Sequence, residues 1–352
     1  MDLLQNVLFY TGLFIVMASL VPLIRHDFWI FRVFEYPRLQ KLTVNLVLIL
    51  IYVIFIPLNA SREYVMLGVL CLNLAYLGWL IFPFTVLSGK QIVGSRKAPG
   101  DINIKLLIAN VYQENKESDS YHTLIKQCNP DLLLMVETNK WWMEQMDRIG
   151  KDYPHQIKVP LENTYGMLLY SRFELVDGAV RYLVEDDIPS IETEVKLPSG
   201  DLVKLFCLHP RPPVPQENPQ STERDKEILM VAKKAKDTKG PTIVVGDLND
   251  VAWSYTTELF SKISGLLDPR KGRGFFNTFN AKYFFLRFPL DHVFCSPDFT
   301  LTGINRLERC GSDHFPMCIN LQYDPVALHK NDIPEATSED KALAAEKIQA
   351  ET

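Results

Sequence analysis

Hydrophobic positions along the 352-residue chain fall into two regimes. Residues 7–24, 42–58 and 64–87 are long apolar stretches almost without charge, each near the ~20 residues a helix needs to cross a hydrocarbon core. They predict three transmembrane helices. Pro22, Pro57 and Pro83 stand near the ends of these stretches, where a lost helix hydrogen bond matters least. The first stretch has no basic leading segment or small-residue cleavage site, and two more follow it. It therefore reads as an uncleaved anchor, not a signal peptide.

From residue 101 the apolar runs shorten. "INIKLLIANV", "DLLLMVET", "YGMLLYS", "LVKLFCLH", "TIVVGDLN", "LDHVFCS" and "FPMCINLQY" read as strands, most of them buried on both faces. Residues 119–127, 140–149 and 221–236 read as helices between them. Strands with interspersed helices indicate an α/β or α+β sandwich in which helices cover the sheets. The chain thus divides into a membrane region (1–90), a Gly/Ser/Pro linker (91–100), one soluble domain (101–323) and an acidic, polar tail (324–352) expected to be flexible.

Charge changes the picture in two ways. Residues 100–323 hold 26 Lys and Arg against 31 Asp and Glu, so the soluble domain lacks the net basic footprint of a tight DNA binder. Around the apolar stretches, Arg25, Arg32, Arg38 and Lys41 sit in the first connection, and Lys90, Arg96, Lys97 and Lys105 follow the third. The second connection carries only Arg62, offset by Glu63. The positive-inside rule then puts the first connection and the soluble domain on the cytoplasmic side of the membrane, with the opposite, periplasmic side as the alternative. The first connection, "RHDFWIFRVFEYPRLQK", mixes aromatics with Arg and suits a segment lying in the membrane interface. None of the six cysteines forms a C-x-x-C pair, which argues against a zinc site and for reduced, buried thiols.

Polar residues recur where buried strands end. Asn110 ends the first, Glu137 follows "LLLMV", and His209 follows "LFCL". Asp247 and Asn249 stand in "GDLN", Asp291 in "LDHVF", and Asp313 and His314 in "SDHFP". Each alone has a structural reading: Asp247 could cap a turn, Glu137 could precede a helix start, and His209 could merely terminate a strand. Six strand ends offering only Asp, Glu, Asn and His form a constellation. His292, one residue from Asp291, should face the other way by the two-residue period and reads as structural.

The ordered set Asn110, Glu137, "YGMLLYSR", "LHPRPP", "GDLN", "LDHVF" and "SDHFP" resembles the endonuclease/exonuclease/phosphatase superfamily over residues 101–322. Placement behind membrane helices is similar to the bacterial membrane-anchored branch of that superfamily. The resemblance implies a four-layer α/β/β/α sandwich of the deoxyribonuclease I type and a phosphoester hydrolase dependent on Mg²⁺, with Mn²⁺ as a substitute. It implies Glu137, Asn110 and Asp313 as the metal group, Asp247 as the residue that orients and deprotonates the attacking water, and Asn249 as a phosphate ligand. His314, positioned by Asp291, would contact the scissile phosphate, and His209 would protonate the leaving group or bind phosphate. Where some members have an acid two residues after the Asn, this chain has Tyr112, followed by Glu114 and Asn115. That favours one metal over two.

Substrate recognition falls to "DPRKGRGFFNTFNAKYFFLRFPLDH", where Arg270, Lys271, Arg273, Lys282 and Arg287 alternate with Phe275, Phe276, Phe279, Phe284 and Phe285. These could hold a lipid headgroup at the bilayer or stack and track nucleic acid, or they could simply be core. The membrane helices and the acidic domain favour a lipid or other small phosphoester. A degenerate binding scaffold would be expected to lose Glu137, Asp247 or His314, and all three are present.

Overall fold

The computed structural model describes residues 2–56, 61–95, 100 and 102–351. Pro57, Leu58, Arg96, Lys97 and Asp101, used in the sequence reading, lie outside these residues.

Three helices of membrane length open the chain: α1 (Asp2–Leu20), then, after the single turn α2 (Trp29–Arg32), α3 (Arg38–Phe55) and α4 (Ser61–Ile81). α3 begins four residues before the apolar stretch because Leu39, Gln40 and Lys41 favour helix and Pro37 fits just ahead of a first turn. Leu8, Ile15, Leu48, Tyr52, Met66 and Leu70 pack between the three helices. Asn45 donates to the Leu70 carbonyl (2.9 Å) and accepts from Asn73 (3.0 Å), a polar clasp of the kind used between helices in lipid. Phe14, Val53, Phe55, Leu72 and Trp79 point outward and exposed, a belt too apolar for a face meant for water.

The soluble domain runs β1 (Asn103–Asn110), α5 (Ser118–Cys128), β2 (Leu132–Val136), α6 (Lys140–Met146), β3 (His155–Val159), β4 (Met167–Ser171), β5 (Glu174–Arg181), β6 (Ser190–Lys196), β7 (Leu202–Leu208), α7 (Thr222–Asp237), β8 (Thr242–Asp247), α8 (Tyr255–Ser264), β9 (Asp291–Cys295), β10 (Phe299–Arg306) and β11 (Met317–Tyr323). One sheet has the order β10-β11-β1-β2-β4-β3 and the other β5-β6-β7-β8-β9. The two-residue period sorts each strand: Leu106 and Ile108 meet Leu205, Val245 and Val293 between the sheets, while Leu107 and Ala109 meet Tyr121 and Trp142 of the outer helices. Helices α7 and α8 cover the second sheet through Ile228, Val231 and Phe260. The result is the four-layer α/β/β/α sandwich.

β3, β5, β6 and β10 have no counterpart among the sequence-derived strands. β3 is half-buried throughout, and β5 and β10 carry exposed polar positions, so none shows a continuous apolar run. Residues 324–352, expected as a flexible tail, instead carry helix α9 (Ser338–Gln349). It is started by a reciprocal capping box between Thr337 and Asp340 and packs Ala344 against Leu229 and Leu259.

Candidate active site

The sheets deliver the polar residues to one edge. β1 and β2 run parallel, so Asn110 at the end of one and Glu137 just past the other emerge side by side. In the second sheet, Asp247 pairs directly opposite Asp291 across β8 and β9, and His209 leaves β7 next to them. Gly246 lets β7 and β8 approach this closely. A Cβ there would stand 1.8 Å from the Leu208 carbonyl oxygen, so no other residue fits.

A continuous polar chain links the two sheets. The Asn110 amide nitrogen donates to Glu137 Oε1 (2.6 Å) and to Asp247 Oδ2 (3.0 Å). His314 Nε2 lies 3.5 Å from Asp247 Oδ2, and its Nδ1 is 2.9 Å from Asp291 Oδ2. Asp247 Oδ1 accepts from the Asn249 backbone N–H (3.0 Å), and the Asn249 side chain donates to the Pro210 carbonyl (3.0 Å). Thr278 Oγ1 accepts from the Asp291 N–H (3.1 Å), fixing the start of β9. Glu137, Asn249, Asp313 and His314 line a common cleft of about 540 Å³.

Charges in this cleft are far from their ordinary states. Burial pulls the His314 imidazolium down, but Asp291 and Asp247 outweigh it and push its pKa up to about 10; the ring is cationic at neutral pH. Burial pushes the Glu137 carboxyl up to about 7 against the pull of His314 and Asn110, with Asp247 and Asp313 adding to the rise. Asp247 is raised by burial too, opposed by His314. Burial lowers His209 to about 4, so it is neutral; its Nδ1 is buried without a partner.

These observations fit a divalent cation. Glu137, Asp247, Asp291 and Asp313 gather near the single imidazole of His314, and burial makes Glu137 and Asp247 costly to ionise unless more positive charge arrives. Glu137 Oε1 accepts from Asn110, while Asp313 borders the cleft with Lys282 at 4.0 Å. Asn110 turns its nitrogen toward both acids and its oxygen toward the Tyr112 N–H, so as placed it orients Glu137 and does not offer a ligand oxygen. Asp247, Asp291 and His314 also form a compact group with metal-like spacing; since Asp291 and His314 already satisfy each other at 2.9 Å, that spacing is better explained as a carboxylate–imidazole pair.

Every residue singled out in the sequence reaches this neighbourhood, His209 least directly, through electrostatic contact with Asp247 and His314. His292 points away, as its register demands: Arg270 can only donate to its Nδ1 (2.7 Å), so its Nε2 donates to the Asp250 carbonyl (2.8 Å). Asn115 is consumed by the Val111 and Cys310 carbonyls. The aromatic-basic segment splits. Arg270 and Arg273 serve internal partners and Phe275, Phe276 and Phe279 pack inward, whereas Tyr283, Phe284 and Phe285 are 55%, 78% and 63% exposed. Gln40, in the first turn of α3, donates to the Phe285 carbonyl (3.0 Å), tying this exposed tip to the start of a membrane-length helix.

One group of residues had no signal in the sequence. The connection between α1 and α3 docks on the soluble domain and walls the cleft with Trp29, Val33 and Tyr36. The Trp29 N–H donates to the Pro219 carbonyl (2.8 Å) and Trp253 Nε1 to the Glu35 carbonyl (2.9 Å). Tyr36 Oη and Arg224 Nη1 both donate to the Asn249 carbonyl at 2.8 Å, where Asn249 holds a left-handed φ of 49°. Buried Arg32 lies 3.4 Å from Glu35, 3.7 Å from Asp225 and 3.6 Å from Asp250. Lys347 of α9 bridges Asp27 (2.6 Å) and Asp225 (3.0 Å). The only local cue was the aromatic-and-Arg composition, which is equally compatible with a membrane interface.

A model of the Endonuclease/Exonuclease/phosphatase family matches residues 107–314. No curated protein matches the chain. Among solved structures, a humanized TDP2 from D. rerio is similar over 62% of this chain and 99% of its own, at 14% identity and a TM-score of 0.52. The endonuclease/exonuclease/phosphatase of Beutenbergia cavernae is similar over 63% and 72%, at 16% identity and a TM-score of 0.51. That of Bacteroides vulgatus is similar over 63% and 99%, at 15% identity and a TM-score of 0.51.

Proposed function

Because the chain belongs to the Endonuclease/Exonuclease/phosphatase family of phosphoester hydrolases, we propose that it is a membrane-anchored, Mg²⁺-dependent phosphoesterase whose substrate is a lipid or small phosphoester at the bilayer surface. The observation that carries this reading is the Gln40–Phe285 hydrogen bond. It sets the exposed aromatics Tyr283, Phe284 and Phe285 level with the start of α3, and the same loop returns to the active site where the Ala281 N–H donates to the Asp313 carbonyl (2.6 Å). Aromatic side chains at a helix–membrane boundary partition into the interface, with Lys282 and Arg287 beside them to meet anionic headgroups.

Glu137, with Asp313 and the orienting amide of Asn110, would hold the cation. Bound Mg²⁺ neutralises phosphoryl charge. Asp247, whose raised pKa makes it a better proton acceptor, takes the proton of the attacking water. Cationic His314 donates to a phosphoryl oxygen as charge builds there, and Asp291 keeps its ring charged and aligned. Asn249 adds an amide N–H to the phosphate. His209, held neutral, suits a hydrogen bond to phosphate better than delivery of a proton to the leaving group. By the positive-inside count, the domain lies on the cytoplasmic side of a bacterial inner membrane.

The test is a substrate panel with full-length protein in a bilayer and Mg²⁺: phospholipid and sphingomyelin vesicles, inositol phosphates, an aryl phosphodiester, plasmid DNA and RNA. Lipid or small phosphoester turnover supports the reading. Cleavage of nucleic acid alone would replace it with a membrane-tethered nuclease, and inactivity toward the whole panel would favour a binding scaffold.

A further inference from the structure

A second pocket, of about 180 Å³, lies between the ends of α3 and α4 and the outer face of α8, and shares no lining residue with the catalytic cleft. We propose that it binds the phosphate headgroup of an anionic phospholipid, held as a bound lipid and not turned over. The proposal rests on reading α1, α3 and α4 as membrane spans.

Arg38 carries the argument. It opens α3, lines this pocket, is 8% exposed, and has no hydrogen-bond or ion-pair partner among the described residues. A buried guanidinium with no acid in direct contact is costly, and its planar fork matches a phosphate. The acids close to it, of which Glu258 and Asp268 also line the pocket, are engaged elsewhere: Glu35 by Arg32 (3.4 Å), Asp250 by Arg224 (3.5 Å), Glu258 by Lys262 (3.2 Å) and Asp268 by Arg270 (2.8 Å). Lys271, on the pocket's far wall, has no anionic partner among the described residues either. Thr257 Oγ1, also lining the pocket, is buried without a partner. Two cations without a direct anionic partner and an orphaned hydroxyl around one cavity suit an anion with several acceptor oxygens.

The rim identifies the source of that anion. Trp79, 72% exposed near the end of α4, and Pro83 just beyond it line the pocket where α4 ends. A Trp at that level marks a membrane–water boundary, where a headgroup can enter with its acyl chains still in the bilayer, as basic pockets at helix ends do.

The experiment uses full-length protein purified from bilayers of phosphatidylcholine with a minor share of phosphatidylglycerol, and counts retained lipid by native mass spectrometry. Wild type should keep phosphatidylglycerol in preference to phosphatidylcholine. Retention should fall about ten-fold in Arg38→Gln and several-fold in Lys271→Gln and Thr257→Val, each of which removes one charged or polar contact, and stay unchanged in Lys90→Gln. Should Arg38→Gln fail to fold, the other two variants carry the test. Equal retention in all variants would overturn the site; inorganic phosphate protecting against heat as well as phosphatidylglycerol would overturn the lipid assignment. Release of the chain from membranes by alkaline carbonate would defeat the spanning-helix reading itself, whereas a resistant chain without lipid selectivity would defeat only this proposal.

Discussion

The hydroxyl of Tyr36, in the connection between two membrane-length helices, donates to the backbone carbonyl of Asn249 at 2.8 Å in the active-site loop. Tyr36→Phe removes one hydrogen bond of about 1 kcal/mol, and Arg224 still holds the same carbonyl. Turnover should therefore drop by a few-fold up to about ten-fold with little change in melting temperature. Identical kcat in the variant would show that the connection walls the cleft without setting the loop.

Asp291 sets the proton affinity of the His314 ring. With His314 raised to about 10, the catalytic cation persists well above neutrality. Asp291→Asn removes the main support, so the alkaline limb of kcat/KM should move down toward the ordinary histidine range near 6.5. The linked stability follows the same sign: a raised pKa stabilises the fold fully below about 6.5, and the contribution fades as pH climbs to about 10. A limb that stays put in Asp291→Asn would remove Asp291 from this role.

Asp247→Asn and His314→Ala should each lower kcat by about two to four orders of magnitude while circular dichroism remains near wild type, with His314→Ala alone melting earlier because it breaks the buried pair with Asp291. Activity within a few-fold of wild type in either variant would contradict the assignment.

Glu137 is predicted to cost stability when no metal is bound, because its pKa rises from 4.5 to about 7 on folding. A raised carboxyl weakens the fold as pH rises through that window. At pH 8, Glu137→Gln should raise the metal-free stability by an amount on the order of 1 kcal/mol and abolish the melting-temperature shift expected from Mg²⁺ in wild type. A full Mg²⁺ shift in Glu137→Gln would place the ion elsewhere.

Gly246→Ala should be severe, costing about 3 kcal/mol or more, since its Cβ would overlap the Leu208 carbonyl oxygen at 1.8 Å. Thermal denaturation decides it; a melting temperature equal to wild type would mean that β7 and β8 can separate at no cost.

The contrast between Asp247 and Tyr36 shows what was legible in the chain. Asp247 follows four buried residues of β8 and a glycine, and a polar residue ending a two-sided apolar run announces itself. The same holds for Asn110, Glu137, His209 and Asp291. Tyr36 and Arg32 are ordinary in their local context; their importance comes from partners such as Thr256 and Asn249 more than two hundred residues away, and no periodicity encodes that. β3 and β5 were hidden because neither is buried on both faces. Helix α9 did carry a local signal, Thr337 three residues before Asp340, which the acidic composition of the tail masked. Arg270 and Arg273 looked like substrate ligands for the opposite reason: composition cannot distinguish a cation aimed at solvent from one bonded to Asp268 or the Ile92 carbonyl.

The bond from Gln40 to the Phe285 carbonyl has a kinetic meaning. With α3 in a bilayer, the catalytic loop cannot diffuse away from the surface or change its height above it. A lipid substrate, as proposed above, would then meet the enzyme by lateral diffusion in two dimensions. Velocity should follow the mole fraction of substrate among the surrounding lipids, and diluting the vesicles in more buffer should leave it untouched.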